Sequence, residues 1–317
     1  MQLLTLQDKL FHFSHNICYT IIRQTNIKVG EVMVTFSQAW QAFLIHLRQL
    51  NRSESTQKQY AIDARQCIAF AKEQAIPFEA AMYNDFLYTY LAHLDATYDK
   101  ATSYNRKVAC LRRFSHFLLL RQWITSEAYL TILTPRPLPK KEIIGLSDAQ
   151  IAQVKSVWDN YLTYADNDER YRIARRNQLI VTTFLTLGCK PAELVRMQWH
   201  HLRYDEQKVR LLRGKSYSDI EAPAHYLALM QDFEKERTTD SPYIWQSDAN
   251  VQGNPITVKT VERIFQTISK EVGFTVRATD LRYAVIQRTV PDDYEAAIAH
   301  FGYARKWVLD ERKRSLK

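Results

Sequence analysis

Three side chains in this sequence sit where a cation could hold an anion. Lys190 precedes Pro191-Ala192-Glu193-Leu194, so it stands at the entrance of a helix with proline at its first position and an acid in its first turn. Lys215 follows Gly214 between two strand-like pieces, 208–213 and 217–222, which places it at a hairpin tip. Arg282 lies in Thr279-Asp280-Leu281-Arg282-Tyr283, beside apolar Leu281, Val285 and Ile286. Residue type alone leaves two readings for each: an anion ligand, or a helix-entrance lysine, a turn residue and a structural ion-pair partner respectively. Metal chemistry has little to stand on. Cys18, Cys67, Cys110 and Cys189 lie far apart with no Cys-x-x-Cys spacing, which argues against a zinc knuckle and a disulfide framework. His200 and His201, read as strand neighbours, face opposite ways and make a poor metal pair. His300 reads as packing or surface. No cofactor is implied.

Charge adds a polyanion to the candidates. Lys and Arg number 43 against 34 Asp and Glu, a net +9. From Lys100 to Lys141 there are nine cations and one acid, Glu127. Arg106-Lys107 and Arg112-Arg113 fall in a stretch that reads as helix, and Lys140-Lys141 follow a proline run. Such a helix neutralises phosphates along a duplex, or is a solvated face. The hydrophobic share, 46%, is that of an ordinary folded chain, and 317 residues allow two domains. With 7 Gly and 9 Pro, collagen-like and low-complexity structure is excluded, and a doubly wound sheet, whose loops consume glycine, is disfavoured. No apolar run nears the roughly 18 residues of a membrane span.

The elements that would position these residues are mostly helical. Residues 1–32 read as an amphipathic helix, with Leu6, Leu10, Phe13 and Ile17 on one face, or as an extension; Met33 is an alternative natural start. They lack the basic start of a secretory signal. Residues 33–133 read as a four-helix bundle. Its helices carry Phe36, Trp40, Phe43 and Leu47, then Tyr60, Ala64, Cys67 and Ile68 up to Pro77. The third runs over 80–94 with Met82 and Phe86, and the fourth starts near Thr102 with Val108, Leu111 and Phe114. Tyr60, Trp40 and the phenylalanines read as core, not as base-stacking platforms. Three prolines within 135–139 mark a semi-rigid linker, 134–145, before a second domain over 146–317. There Ser147 caps a helix, another runs over 176–187 to Gly188, the hairpin follows, and helices are expected over 257–272, 279–289, 294–300 and 306–314.

This order resembles the tyrosine recombinases, or phage integrases, and among them the Xer type. Gly188-Cys189-Lys190-Pro191-Ala192-Glu193-Leu194 is similar to the family's Gly-x-Arg-x-x-Glu-Leu. Gly214-Lys215 is similar to its hairpin lysine, Thr279-Asp280-Leu281-Arg282-Tyr283 to His-x-x-Arg-His, and Phe301-Gly302-Tyr303 to Leu-Gly-His. In the first domain, Ser55-Thr56 through Tyr60 to Phe70 and the basic aromatic stretch 102–120 resemble family helices. The resemblance covers about 36–314. It implies a mainly α fold: a SAM-like core-binding bundle plus a mixed α/β catalytic-type domain with a small antiparallel sheet. It further implies a C-shaped clamp on double-stranded DNA, a cytoplasmic, nucleoid-associated location, and association with a second copy or a partner recombinase, the C-terminal helix being the exchanged element.

The departures bear on the chemistry. Family members attack a phosphodiester with tyrosine, hold it with two arginines, protonate the leaving oxygen with lysine and position it with histidines. By this resemblance the first arginine is Lys190, the first histidine is Thr279, the Leu-Gly-His histidine is Tyr303 and the nucleophile is Arg312; only Lys215 and Arg282 are kept. Lysine cannot fork across two phosphate oxygens, threonine is no base at neutral pH, and a guanidinium forms no phosphoester. The pattern resembles the XerD-like subgroup of Gram-positive bacteria, regarded as not cutting and rejoining as Xer proteins do. It implies a DNA-binding, cation-lined pocket formed by Lys190, Lys215, Arg282 and Arg312, without a cutter. A residually active recombinase and a protein-interaction scaffold are the alternatives.

Overall fold

A computed structural model describes residues 34–138, 145–247, 253–288 and 294–303. The chain separates into two compact units, Met1–Pro139 and Lys140–Lys317.

In the first unit, α1 (Phe36–Gln49), α2 (Glu54–Glu73), α3 (Tyr83–Thr97) and α4 (Ala101–Leu120) are followed by a single turn, α5 (Tyr129–Ile132). Thr35 starts α1 with a reciprocal cap: its hydroxyl accepts from the Gln38 backbone at 3.2 Å while the Gln38 side chain accepts from the Thr35 backbone at 2.9 Å. Ser53 caps α2. Helical spacing then buries Trp40, Phe43 and Leu47 of α1 against Phe114, Phe117 and Leu118 of α4. The Trp40 and Phe114 rings stack at 3.8 Å. Tyr60 and Phe86 belong to the same core. Two boundaries differ from the sequence reading. The second helix stops at Glu73, with Ala75 in a left-handed conformation, before Pro77 is reached. The third starts at Tyr83, so Met82, expected on the buried face, lies exposed ahead of it.

In the second unit, α6 (Asp148–Thr163), α7 (Asp168–Leu187) and the one-turn α8 (Pro191–Leu194) lead through a 3-10 turn, Trp199–His201, into a sheet. Its strands β1 (Leu202–Arg203), β2 (Lys208–Arg213) and β3 (Ser216–Glu221) pair antiparallel in chain order. Val209 opposes Ile220, and period-two alternation buries Val209, Leu211 and Ile220 together. On the other face Arg210 donates to Asp219 at 2.7 Å. Then come α9 (Ala224–Lys235), α10 (Val258–Val272), α11 (Ala278–Arg288) and α12 (Tyr294–Phe301). The fold is thus mainly helical, with one small antiparallel sheet. The helix α7 begins eight residues before the expected 176, because Asn167 caps it, accepting from the Arg170 backbone at 2.9 Å, and its first turns are polar. His200 and His201 sit in the 3-10 turn, not in a strand. The expected segments 1–32 and 306–314 lie outside the described residues. Among the described residues, no helix is long and apolar enough to cross a membrane.

Candidate anion-binding site

The site is assembled where α7 stops. Gly188 takes φ +56°, and a Cβ there would come within 2.8 Å of the Phe301 ring, so both the turn and the packing select glycine. Lys190 follows, and its backbone N–H donates to the Glu193 carboxylate at 2.9 Å. Glu193 is buried. Its Oε1 lies 3.5 Å from the Lys190 ammonium and 3.5 Å from Arg213 Nε. The second contact is an ion pair and not a hydrogen bond, since Arg213 Nε has no hydrogen-bond acceptor. One buried carboxylate therefore balances two cations.

Arg213 and Arg282 together clasp the C-terminal end of α12. Arg213 donates to the carbonyls of Ala299, at 2.6 Å, and His300. Arg282, 3% exposed, donates to the carbonyls of Phe301, at 2.5 Å, and Gly188. The last carbonyls of a helix have no partner within it and carry the negative end of its dipole, so guanidinium groups are apt caps. Gly302, at φ +62°, lets the chain pass over the Arg213 side chain; a Cβ there would come within 2.9 Å of its Cδ and 3.0 Å of its Nε. The Arg282 guanidinium also lies over the Tyr303 ring, 5.1 Å from its centroid. His300 is near enough to bond the Leu187 carbonyl at 3.2 Å.

The structure thus links Lys190, Arg282 and Tyr303 of the expected residues, through Glu193 and Arg213, to which the sequence assigns no role in the site. Lys215 is exposed at the hairpin turn, two residues beyond Arg213, and makes no ion pair among the described residues. Thr279 is exposed in the first turn of α11. Arg312 lies outside the described residues, as do Lys140 and Lys141. Cys189 is buried, which pushes its thiol up to about 12 and leaves it unsuited to nucleophilic work. Among the described residues, no group of three or more His, Cys, Asp or Glu is placed to hold a metal ion.

The basic stretch of the first unit divides into spent and available charge. Lys107 is a correction to its expected place on a DNA-facing surface: it is 3% exposed, donates to Asp63 at 3.1 Å and to Gln66, and packs over the Tyr98 ring. Arg106 is partly exposed and spans both Asp63 oxygens, at 2.6 and 2.8 Å. Arg136 is also turned inward, against Asp95, the Tyr98 carbonyl and the Tyr104 ring. Arg112 donates only to the Leu130 carbonyl, and Arg113 is exposed; neither has an acidic partner among the described residues.

Residues 40–122 match the family described as "Phage integrase, N-terminal SAM-like domain". Tyrosine recombinase XerC of Halalkalibacterium halodurans is 32% identical over 100 residues, 31% of this chain and 33% of that protein. Tyrosine recombinase XerA of Pyrococcus furiosus is 25% identical over 111 residues, 34% of this chain and 39% of that protein. The match therefore spans about a third of each curated relative's length. In three dimensions, a λ integrase dimer (residues 75–356) bound to a COC′ core site superposes with TM-score 0.65 at 13% identity, covering 89% of this chain and 96% of that one. XerH recombinase bound to difH substrate in a pre-cleavage complex gives TM-score 0.62 at 13% identity, covering 88% of this chain and 82% of that one. Residues 40–122 thus carry a phage-integrase SAM-like domain, and the relatives of this chain include Xer-type tyrosine recombinases. The matched span overlaps all four long helices of the first unit, and the arginine clasp lies in the second unit.

Three histidines contribute to the acid sensitivity of the fold. His46, His201 and His300 are all held below the ordinary imidazole value, in each case chiefly by burial. Arg121, Arg52 and His116 add to the effect at His46, His200 and Arg210 at His201, and Arg213 and Arg282 at His300. The unfolded chain then binds more protons than the folded one below about pH 6.5, so stability falls as pH drops through that value toward the lowered ones. The urea midpoint is expected to fall between pH 7.5 and 5.5. A midpoint that stays level or rises would contradict neutral burial of these rings.

Proposed function

We propose that this protein binds double-stranded DNA as a catalytically degenerate tyrosine recombinase homologue, nearest in kind to the XerD-like subgroup. The observation that carries the reading is the matched SAM-like domain, whose fourth helix offers Arg112 and Arg113 to solvent without acidic partners among the described residues. Unpaired guanidiniums are suited to duplex phosphates. The relatives of like fold include λ integrase on its core site and XerH on difH. Loss of cutting rests on side-chain chemistry at Lys190, Thr279, Tyr303 and Arg312: no tyrosine stands at the nucleophile's place, and no histidine at the base positions. Lys215 and Lys190 are left to hold a phosphate, while Arg282 is engaged with backbone carbonyls.

The test is fluorescence anisotropy of a labelled mixed-sequence duplex at low and physiological salt. Affinity is expected to fall steeply with salt. Arg112→Ala with Arg113→Ala should reduce the log–log slope by about one unit for each phosphate these side chains neutralise. A nicked duplex is expected to yield no covalent adduct under denaturing conditions. Binding absent even at low salt would favour a protein scaffold, and an adduct would establish a residual enzyme.

A further inference from the structure

The first unit carries an apolar groove that DNA binding does not require. It is a cleft of about 300 Å³ between the end of α1, the outer side of α4 and α5. Phe43, Leu47 and Phe117, from two helices, form its floor. Leu50, Leu120 and Leu130, from three different segments, stand at its mouth with 48%, 50% and 47% of their surface in water. Leucines so exposed and converging on one cleft mark a contact surface rather than scattered surface residues. Arg52, Arg112 and Arg113 surround the cleft, His46 and His116 line it, and among the described residues no acid does. His46 is held below its ordinary value by burial and by neighbouring cations, which accords with a positive field there.

We propose that this groove docks a peptide segment of another protein, one presenting a leucine- or phenylalanine-like anchor flanked by carboxylates. Charge complementarity selects the partner: a rim of guanidiniums with no carboxylate among the described lining residues pairs with Asp and Glu, and repels a basic segment. The apolar floor selects the anchor, since a large apolar side chain inserted there removes surface from water on both partners. A phosphate backbone would use the arginines but gain nothing from Leu50, Leu120 and Leu130. A second copy of the chain would use the leucines, but the chain's net charge of +9 opposes self-association. Arg112 and Arg113 belong to both the groove and the DNA-facing set, so the acidic segment and a duplex compete. The groove itself stands whether or not the DNA reading holds.

The test uses the full chain and a labelled amphipathic peptide of about 14 residues, two heptads, with Leu along one face and Glu elsewhere. Saturable binding is expected. Leu50→Gln with Leu120→Gln should weaken it about tenfold or more, as should Arg112→Glu with Arg113→Glu. All four side chains are at least partly exposed, and circular dichroism verifies that the variants fold. Duplex affinity, measured alongside, is expected to survive the leucine pair and fall with the arginine pair. A peptide that does not bind, or binds equally to the leucine variant, overturns the proposal. So does a leucine pair that weakens duplex binding as much as peptide binding, which would give the groove to DNA. A leucine pair that turns a dimer into a monomer in sedimentation, with no effect on the peptide, would assign it to self-association and overturn the proposal too.

Discussion

Asp63→Ala is expected to cost the first unit about 3–5 kcal/mol, the range for removing one partner of a buried ion pair. Asp63 is the shared counter-ion of Arg106 and Lys107, and the two cations are not equivalent. The Arg106 side chain is more than a third exposed, so water screens it when its partner is removed. Lys107 has no such recourse. Its ammonium is sealed beneath α2 and α4, and without Asp63 it keeps the Gln66 amide oxygen and the Tyr98 ring. Asp63→Asn retains an acceptor but not the charge, and should lie between. The double change Asp63→Leu, Lys107→Met removes both buried charges and should recover much of the loss, because well-packed apolar pairs often match a buried ion pair. Urea unfolding at pH 7 checks this. Two units invite two transitions, so the one assigned to the helical bundle must be followed separately. A loss under about 1 kcal/mol for Asp63→Ala would mean that Lys107 reaches water, and would restore it to the DNA-facing surface.

That case shows where sequence reading reached and where it stopped. Periodicity located the bundle, because Trp40, Phe43 and Leu47 recur at helical spacing whatever their partners are. Gly188 and Pro191 were legible as a helix end and a helix start for local reasons: a left-handed turn and a missing N–H. The Gly214 hairpin was likewise local. Charge counting was less faithful. Lys107 and Arg136 add to a basic run in sequence, yet both are turned inward by acids on other helices, and nothing in the run itself reveals Asp63 or Asp95 as partners. The helix α9 was missed, though it buries Tyr226, Leu227 and Met230. The site shows the same limit. The sequence offers Glu193 only as a first-turn acid within its motif and Arg213 only as the end of a strand-like piece, because their meaning depends on partners far along the chain. The bond from Arg282 to the Gly188 carbonyl spans 94 residues. An arginine amid leucine and valine signalled a bound guanidinium, but not what binds it.

Arg282→Met separates the two meanings that the sequence left open for that residue. If the guanidinium serves only an incoming phosphate, its removal should leave stability unchanged or improved, since a buried charge is eliminated. The structure leads to the opposite expectation. Arg282 supplies donors to the carbonyls of Gly188 and Phe301, and these join the end of α7 to the end of α12. Methionine fills similar volume but donates nothing, and each buried carbonyl left without a donor costs about 1–3 kcal/mol. A loss of about 2–5 kcal/mol is therefore expected for the second unit, with backbone amides of α12 exchanging faster than those of α7. Arg282→Lys tests the geometry behind the number. A single ammonium on a flexible stem keeps the charge but not the rigid fork, so it should recover part of the loss at most. The neighbouring clasp supplies the control. Arg213→Met frees the His300 carbonyl, leaves the Ala299 carbonyl with only the Gly302 N–H, and leaves Glu193 with only the exposed Lys190 as a counter-ion among the described residues, so it should loosen the same helix. Arg282→Met with native stability and unchanged exchange in α12 would show that the guanidinium is free for an anion, and the retained arginine would then rejoin Lys215 as a phosphate ligand.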